Sequence, residues 1–235
     1  DQGIILSAKQ HGETSVIINV LTPSFGRHSG IVRGGKSRKL SSVLQPGVQL
    51  DLMWKARLQE HIGAFQVEPI RSRSAMVMSD RRALSGLSAV TGMLLAFLPE
   101  REKYEGLFYA TEHLLDSLEY PEVWSMAYLT WELGLLDILG FGLDLSACSV
   151  TGETHDLVFV SPKTGRAVSR KGAGKWADRL LPLPRVMLGQ NTRNQAEIAQ
   201  ALEVSRYFFE NHVCKSLGVK QLPRARSRFL DTFRN

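Results

Sequence analysis

The chain has 235 residues, 43% of them apolar, which is enough for one or two domains with a substantial buried core. No segment approaches the roughly 18 to 20 unbroken apolar residues of a membrane helix. No basic-then-apolar leader opens the sequence, so neither a membrane span nor an export signal is expected. The net charge of +6 is uneven: residues 1–75, 76–147 and 148–235 carry +5, −7 and +8. Two basic ends around an acidic middle favour phosphate polymers or acidic partners, set against the plainer reading of solvated surface. Cys148 and Cys214 are too few for a disulfide framework and read as buried thiols in a reduced, cytoplasmic setting.

Residues 3–70 read as β structure. Ile4 and Leu6 open a short run. Val16, Ile18 and Val20 alternate with Ile17, Asn19 and Leu21 until Thr22-Pro23. Phe25-Gly26 turns the chain, and Ser29 to Val32 form a third strand closed by Gly34-Gly35. Val48, Leu50, Leu52 and Trp54 mark a fourth strand. Ile62 to Val67 mark a fifth, ended by Glu68-Pro69. About nine residues separate strands three and four, room for one or two helical turns. Five short strands with a short helix after the third is the OB barrel architecture.

At Asp80, a plausible N-cap, the apolar period changes from two to 3.6. Leu84, Leu87, Thr91, Leu94, Leu95 and Leu98 form one stripe, ended by Pro99. Tyr104, Leu107, Phe108, Thr111, Leu114, Leu115 and Leu118 form a second. A third helix starts at Pro121, carries Trp124, Ala127, Tyr128, Trp131, Leu135 and Ile138, and stops at Gly140. Residues 141–190 are rich in Gly, Ser, Thr and Pro and read as a loop-rich or small β insertion with one strand at Leu157 to Val160. Asn194 caps a last long helix with Ile198, Leu202, Phe208 and Phe209 inward, ended by Gly218. Lys220, Arg224, Arg226, Arg228 and Arg234 make a basic tail. The expected fold class is therefore α+β: an N-terminal five-stranded OB-fold barrel (1–78), then a mainly α-helical domain (79–235) with the insertion at 145–190.

Gly30 to Ser37 is literally G-x-x-x-x-G-K-S, the phosphate loop of nucleotide hydrolases. That loop needs a buried parallel strand before it and a supporting helix after it. Here Pro23 to Ser29 is polar and turn-like, and Leu40 to Pro46 is too short for the helix. The cations still need an account. Arg27, Arg33, Lys36, Arg38 and Lys39 lie within 13 positions among small residues, which suits the close approach of a sugar–phosphate backbone. Lys55 and Arg57 extend the track from strand four. Phe25 and Trp54 are candidates for either stacking surfaces or core.

No nucleophile elbow, zinc-hydrolase or dinucleotide motif is present, and His11, His28, His61, His113, His155 and His212 are scattered. Glu112 and Asp116, one helical turn apart, read as the solvated flank of their stripe. No catalytic residue and no cofactor is expected.

Taken together, GIILSAKQHGETSVIINVLTPSFGRHSGIVRGGKS, LSSVLQPGVQLDL, WELGLLDILGFGLDLSAC and SRFLDTF resemble, in that order, the RecO family of bacterial recombination mediators. The opening G-x-[IV]-L, with Gly3, Ile5 and Leu6, and the glycine and acid before strand two, Gly12 and Glu13, fit its start. The resemblance implies binding of single- and double-stranded DNA, annealing of complementary strands, and partnership with RecR and single-stranded DNA-binding protein (SSB) in loading a recombinase. It implies a nucleoid-associated protein.

The chain departs from the resemblance in one respect. Several members carry a four-cysteine zinc module after the third long helix. Here Cys148 fits the first ligand position, but Thr151, Ser169 and Gly172 stand at the other three. Only His155 lies near by, so no zinc is expected. The module must then be held by apolar packing, with Leu157, Phe159, Val168 and Trp176 as candidates. A second basic region, Lys163, Arg166, Arg170, Lys171 and Lys175 with Arg224, Arg226 and Arg228 of the tail, is expected to hold a second strand or the acidic end of SSB. The competing readings are a phosphohydrolase using Gly30 to Ser37 and an adaptor that binds only proteins.

Overall fold

The computed structural model describes residues 1–56, 62–73, 77–192 and 194–233. Arg57, His61 and Arg234 fall outside them. The chain forms two compact units. Asp1–Pro121 joins Pro223–Phe229 in the first, and Glu122–Leu222 joins the segment from Leu230 onward in the second.

The first unit is built on a closed barrel of β1 (Gln2–His11), β2 (Ser15–Thr22), β3 (Gly26–Val32), β4 (Val48–Lys55) and β5 (Gly63–Ser72), in the order β1-β2-β3-β5-β4. A four-residue helix, α1 (Arg38–Ser41), follows β3. The expected OB-type barrel is present, with longer strands than the turn signals suggest. Inward alternation brings Ile5, Val16, Ile18, Val20, Val32, Leu50, Leu52 and Phe65 into one apolar core.

Strand three begins at Gly26 rather than Ser29, because Gly26, Arg27 and His28 continue the β2 ladder opposite Thr22, Leu21 and Val20. Strand five runs past Pro69 to Ser72. It pairs with β3 only at Gly63 and Ala64, so from Phe65 onward one side of it is an edge, where a proline is tolerated.

Closure depends on two glycines. Gly30 and Gly63 face each other in the parallel β3–β5 pair. A Cβ on Gly30 would lie 2.4 Å from the Phe65 ring, and one on Gly63 would lie 2.4 Å from the Trp54 indole. The missing side chains let two aromatic rings lie across the seam.

Asp80 caps α2 (Arg81–Phe97) as expected, accepting from the amides of Arg82 and Ala83 at 2.8 and 3.0 Å. The buried face of α2 is Ala83, Leu87, Val90, Thr91, Met93, Leu94 and Phe97. Leu84 is exposed, because the inward face runs through Ala83 and Leu87. Helix α3 (Glu105–Ser117) buries Leu107, Phe108, Thr111, Leu114 and Leu115, the expected stripe.

Its polar flank is not simply solvated. Arg73, 2% exposed, donates to Asp116 at 2.5 Å and lies 3.9 Å from Glu112. Arg71 pairs with Asp116 at 2.9 Å. Glu112 also accepts from Gln49 at 2.7 Å. Glu112 and Asp116 therefore tie α3 to the end of β5.

In the second unit α4 (Trp124–Ile138) buries Trp124, Tyr128, Trp131 and Leu135, but Ile138 is exposed and Pro121 stands three residues ahead of the helix. Inside this unit Glu132 is fully buried and accepts from Tyr128 at 2.7 Å and Ser205 at 2.5 Å. The insertion is a three-stranded sheet, β7-β6-β8, of β6 (Leu157–Val160), β7 (Ala167–Ser169) and β8 (Leu181–Pro182). Helix α5 (Arg170–Ala173) follows β7. Leu157 and Val168 are buried there, whereas Trp176 is 51% exposed and takes no part in the core. Asn194 caps α6 (Gln195–Phe208), which passes through a π-turn, Phe209–Val213, into α7 (Cys214–Leu217). The C-terminal basic segment is a helix, α8 (Arg224–Asp231), not a loose tail.

Replacing Asp116 with Ala leaves the buried Arg73 guanidinium without its main counter-charge. It should cost about 3 kcal/mol, and Asp116→Asn less, as read by urea unfolding.

Candidate nucleic-acid interface

The G-x-x-x-x-G-K-S string starts in β3, whose main ladder is antiparallel, and ends at a helix of one turn. It is not the strand–loop–helix of a nucleotide cradle. Lys36 turns back to the β1–β2 turn, its Nζ 3.1 Å from the Gly12 carbonyl. Ser37 caps α1 through Leu40 N–H at 3.4 Å.

The cations fall into two groups. Arg33, Lys36, Arg38, Lys39 and Lys55 are exposed and have no ion-pair partner among the described residues. Arg33 and Lys55 line one groove of about 930 Å³ along β4 and β5, with Leu40 of α1, Met53, Phe65 and Val67 on its walls. Asp51 and Glu68 also face it.

Arg27 belongs to the other group. Its Nε donates to the Leu98 carbonyl at 2.8 Å, and its guanidinium is 3.6 Å from Glu100. That side chain holds the segment after α2 against the barrel, and its charge is already answered.

Beside the groove, Phe25 is 56% exposed and Trp54 is half-buried. Sequence reading named these two but missed His28, Phe65 and Arg101, which surround them. His28 faces inward because β3 starts at Gly26, a residue that reads as a turn in sequence. Burial, then the nearby Arg101 charge, hold the His28 pKa below its usual value, against an opposing effect of Glu100.

The second basic region does not form one patch on one body. Lys163, Arg166, Arg170, Lys171 and Lys175 lie in the second unit, and Arg224, Arg226 and Arg228 in the segment grouped with the first. Arg226 is 1% exposed and offers nothing to a surface ligand. Arg166 pairs with Asp144 at 3.2 Å, Arg170 with Asp156 at 3.6 Å and Lys171 with Glu153 at 3.5 Å. Serine donors and the Arg166 partner hold the Asp144 carboxyl below the usual range, and the Thr151 hydroxyl and Lys171 do the same for Glu153. Lys163 and Lys175 are exposed, and Lys175 and Arg179 flank the Trp176 ring at 5.4 and 4.9 Å.

The four positions that match the zinc module do converge. Cys148 Sγ accepts from Ser169 N–H at 3.2 Å, Ser169 O–H at 3.3 Å and Thr151 N–H at 3.4 Å. A Cβ on Gly172 would lie 2.7 Å from the same sulfur. Burial pushes the thiol up, but these hydrogen bonds outweigh it and bring the pKa to about 6. Cys214, by contrast, is raised by burial and by Glu210. Among the described residues no three His, Cys, Asp or Glu side chains group as metal ligands. No described helix is long and apolar enough to cross a membrane.

The barrel and the helical part each match a family model: Recombination protein O N terminal over residues 1–73, and Recombination protein O C terminal over 78–221. A DNA repair protein RecO of Roseobacter denitrificans is 57% identical over 99% of this chain and 97% of its own length. Those of a Ruegeria species and of Cereibacter sphaeroides are each 53% identical over 98% and 96%. The chain belongs to the RecO family. The resemblance read from the ordered sequence pieces is thereby confirmed over nearly the whole chain, and the named RecO relatives are DNA repair proteins.

Replacing Ser169 with Ala removes the hydroxyl donor and should move the Cys148 thiol up from about 6, as read by thiolate absorbance against pH. In the unaltered protein the folded value lies below the unfolded one. The stabilisation is therefore complete above about pH 9 and is lost as the pH falls through 6. Metal analysis of purified protein should find no stoichiometric zinc.

Proposed function

We propose that this RecO-family chain is a non-enzymatic DNA-binding mediator that grips single and double strands by their phosphates. It brings complementary strands together, and it acts with RecR and SSB in loading a recombinase. The observation that carries the reading is the set of five exposed cations, Arg33, Lys36, Arg38, Lys39 and Lys55, each without an ion-pair partner among the described residues, two of which, Arg33 and Lys55, line the barrel groove. Positive charge next to small residues binds sugar–phosphate chains without regard to sequence.

Annealing has a physical route in the same charges. Two strands repel each other through their phosphates, and cations that neutralise one strand lower the work of bringing up the second. Lys163 and Lys175, and Arg224 and Arg228, are the members of the second basic region left for a further strand or for the acidic end of SSB. No bond is made or broken, and no residue is assigned a catalytic role.

If five phosphates are neutralised, the affinity for a short single strand should fall with salt at a slope of roughly −3.5 in log K against log[salt]. Replacing Lys36, Arg38 and Lys39 together by Ala should weaken binding on every sequence and flatten the slope to about −1.4. Unchanged affinity at low salt removes this loop from the interface. A gel shift with short single-stranded DNA separates the reading from a protein-only adaptor, which would give no shift.

A further inference from the structure

The barrel carries a second cavity, of about 540 Å³, walled by Thr22, Phe25, His28, Trp54, Phe65 and Arg101. It adjoins the groove that Arg33 and Lys55 line, since Met53 and Phe65 line both. Its walls are aromatic on several sides. The His28 ring lies 4.9 Å from Trp54 and 5.4 Å from Phe65, and Phe25 stands 6.1 Å from His28. The Arg101 guanidinium lies 5.6 Å from the Trp54 ring centre.

Two further observations set it apart from a packing gap. His28 is 6% exposed, yet its Nε2 has no hydrogen-bond partner among the described residues. A buried polar atom in that state is uncommon and costly unless something supplies the missing partner. The rim is also held in place. Arg101 N–H donates to the Arg27 carbonyl at 2.8 Å, and the backbone of Glu102 sits where any side chain at position 26 would have to be.

We propose that this cavity takes one unpaired nucleobase from a single strand whose phosphates meet Arg33 and Lys55 in the neighbouring groove. The proposal rests on the DNA-binding reading above and specifies what that site recognises. A splayed base has the properties the cavity asks for: a flat π-face for the rings of Phe25 and Trp54, and a polar edge for His28. The indole N–H of Trp54 is turned toward Gly63 at the barrel seam, so Trp54 contributes its face and His28 meets the base edge. With its pKa held low, the His28 imidazole is neutral near pH 7, and its Nε2 donates or accepts according to the tautomer. Arg101 can stack on the same ring system. An apolar peptide side chain would fill the same volume but would leave the imidazole edge without a partner. Duplex bases, stacked and paired, cannot enter.

The test compares the intact protein on a short oligothymidylate and on an abasic strand with the same number of phosphates, by fluorescence anisotropy. The base-bearing strand should bind about five-fold or more tightly, the order expected for one base stacked on aromatic side chains. Phe25→Ala, at an exposed position, should bring the ratio toward one while leaving the salt slope in place, and Trp54→Leu should do the same. Equal binding of the two strands by the unaltered protein, with a steep salt slope, overturns the base pocket and leaves the phosphate grip standing. A preference that survives both substitutions overturns it as well, by placing the base elsewhere. Binding to neither strand removes both this proposal and the reading beneath it.

Discussion

The closure of the barrel between β3 and β5 is the constraint on which the rest of the first unit depends. Only two residue pairs join these strands, and a glycine pair is one of them. Any side chain at Gly30 or Gly63 would occupy the space of Phe65 or Trp54. The aromatic rings can therefore lie over the seam only because the backbone beneath is bare. The same two rings help wall the cavity beside the Arg33–Lys55 groove. Closing the sheet and building a surface that can meet a base are in this way one steric event. Past the seam β5 is an edge, which accommodates Pro69 and leaves the groove face open.

Carboxylates decide which cations remain available. Arg27, Arg71 and Arg73 are as basic as Arg33 or Arg38, but acids of the following helical segment engage them: Glu100, Asp116, Glu119 and Glu112. The acidic middle of the chain thus serves partly as an internal counter-charge to the basic N-terminal part. What is left over is concentrated in the loop from Arg33 to Lys39 and at Lys55. A similar subtraction in the insertion pairs Arg166, Arg170 and Lys171 with Asp144, Asp156 and Glu153. Those pairs are largely exposed, so each is worth little and is open to exchange with phosphate. Arg226 differs in kind: at 1% exposed, it is buried.

Much of this was legible in the sequence because it rests on local periodicity. The alternation of Val16, Ile18 and Val20 against polar or outward neighbours, the Asp80 cap and the Leu107 to Leu115 stripe each express one element's geometry, and each is where expected. What failed to show depends on contacts distant in sequence. Gly26 reads as a turn, yet the β2 ladder extends β3 through it and swings His28 inward. Glu112 and Asp116 read as a wet helix flank because nothing nearby in the chain reveals Arg73, some forty residues upstream, as their partner. Leu84 and Ile138 fit their stripes by spacing but lie on the margin of the buried arc. Of the candidate interface, the cations were legible as a list. Their sorting into paired and unpaired was not, because that needs the positions of the acids.

In the insertion, Cys148 is the centre of a small hydrogen-bond cluster. Thr151, Ser169 and Gly172 surround Cys148. The sulfur accepts from two backbone amides and a hydroxyl, and these donors favour the thiolate and lower its pKa. Gly172 leaves no room for a side chain beside that sulfur, so the turn packs directly on it. The three-stranded sheet has its own small core of Leu157, Val160, Ala167 and Val168. Trp176, left outside that core between Lys175 and Arg179, is then free to face solvent.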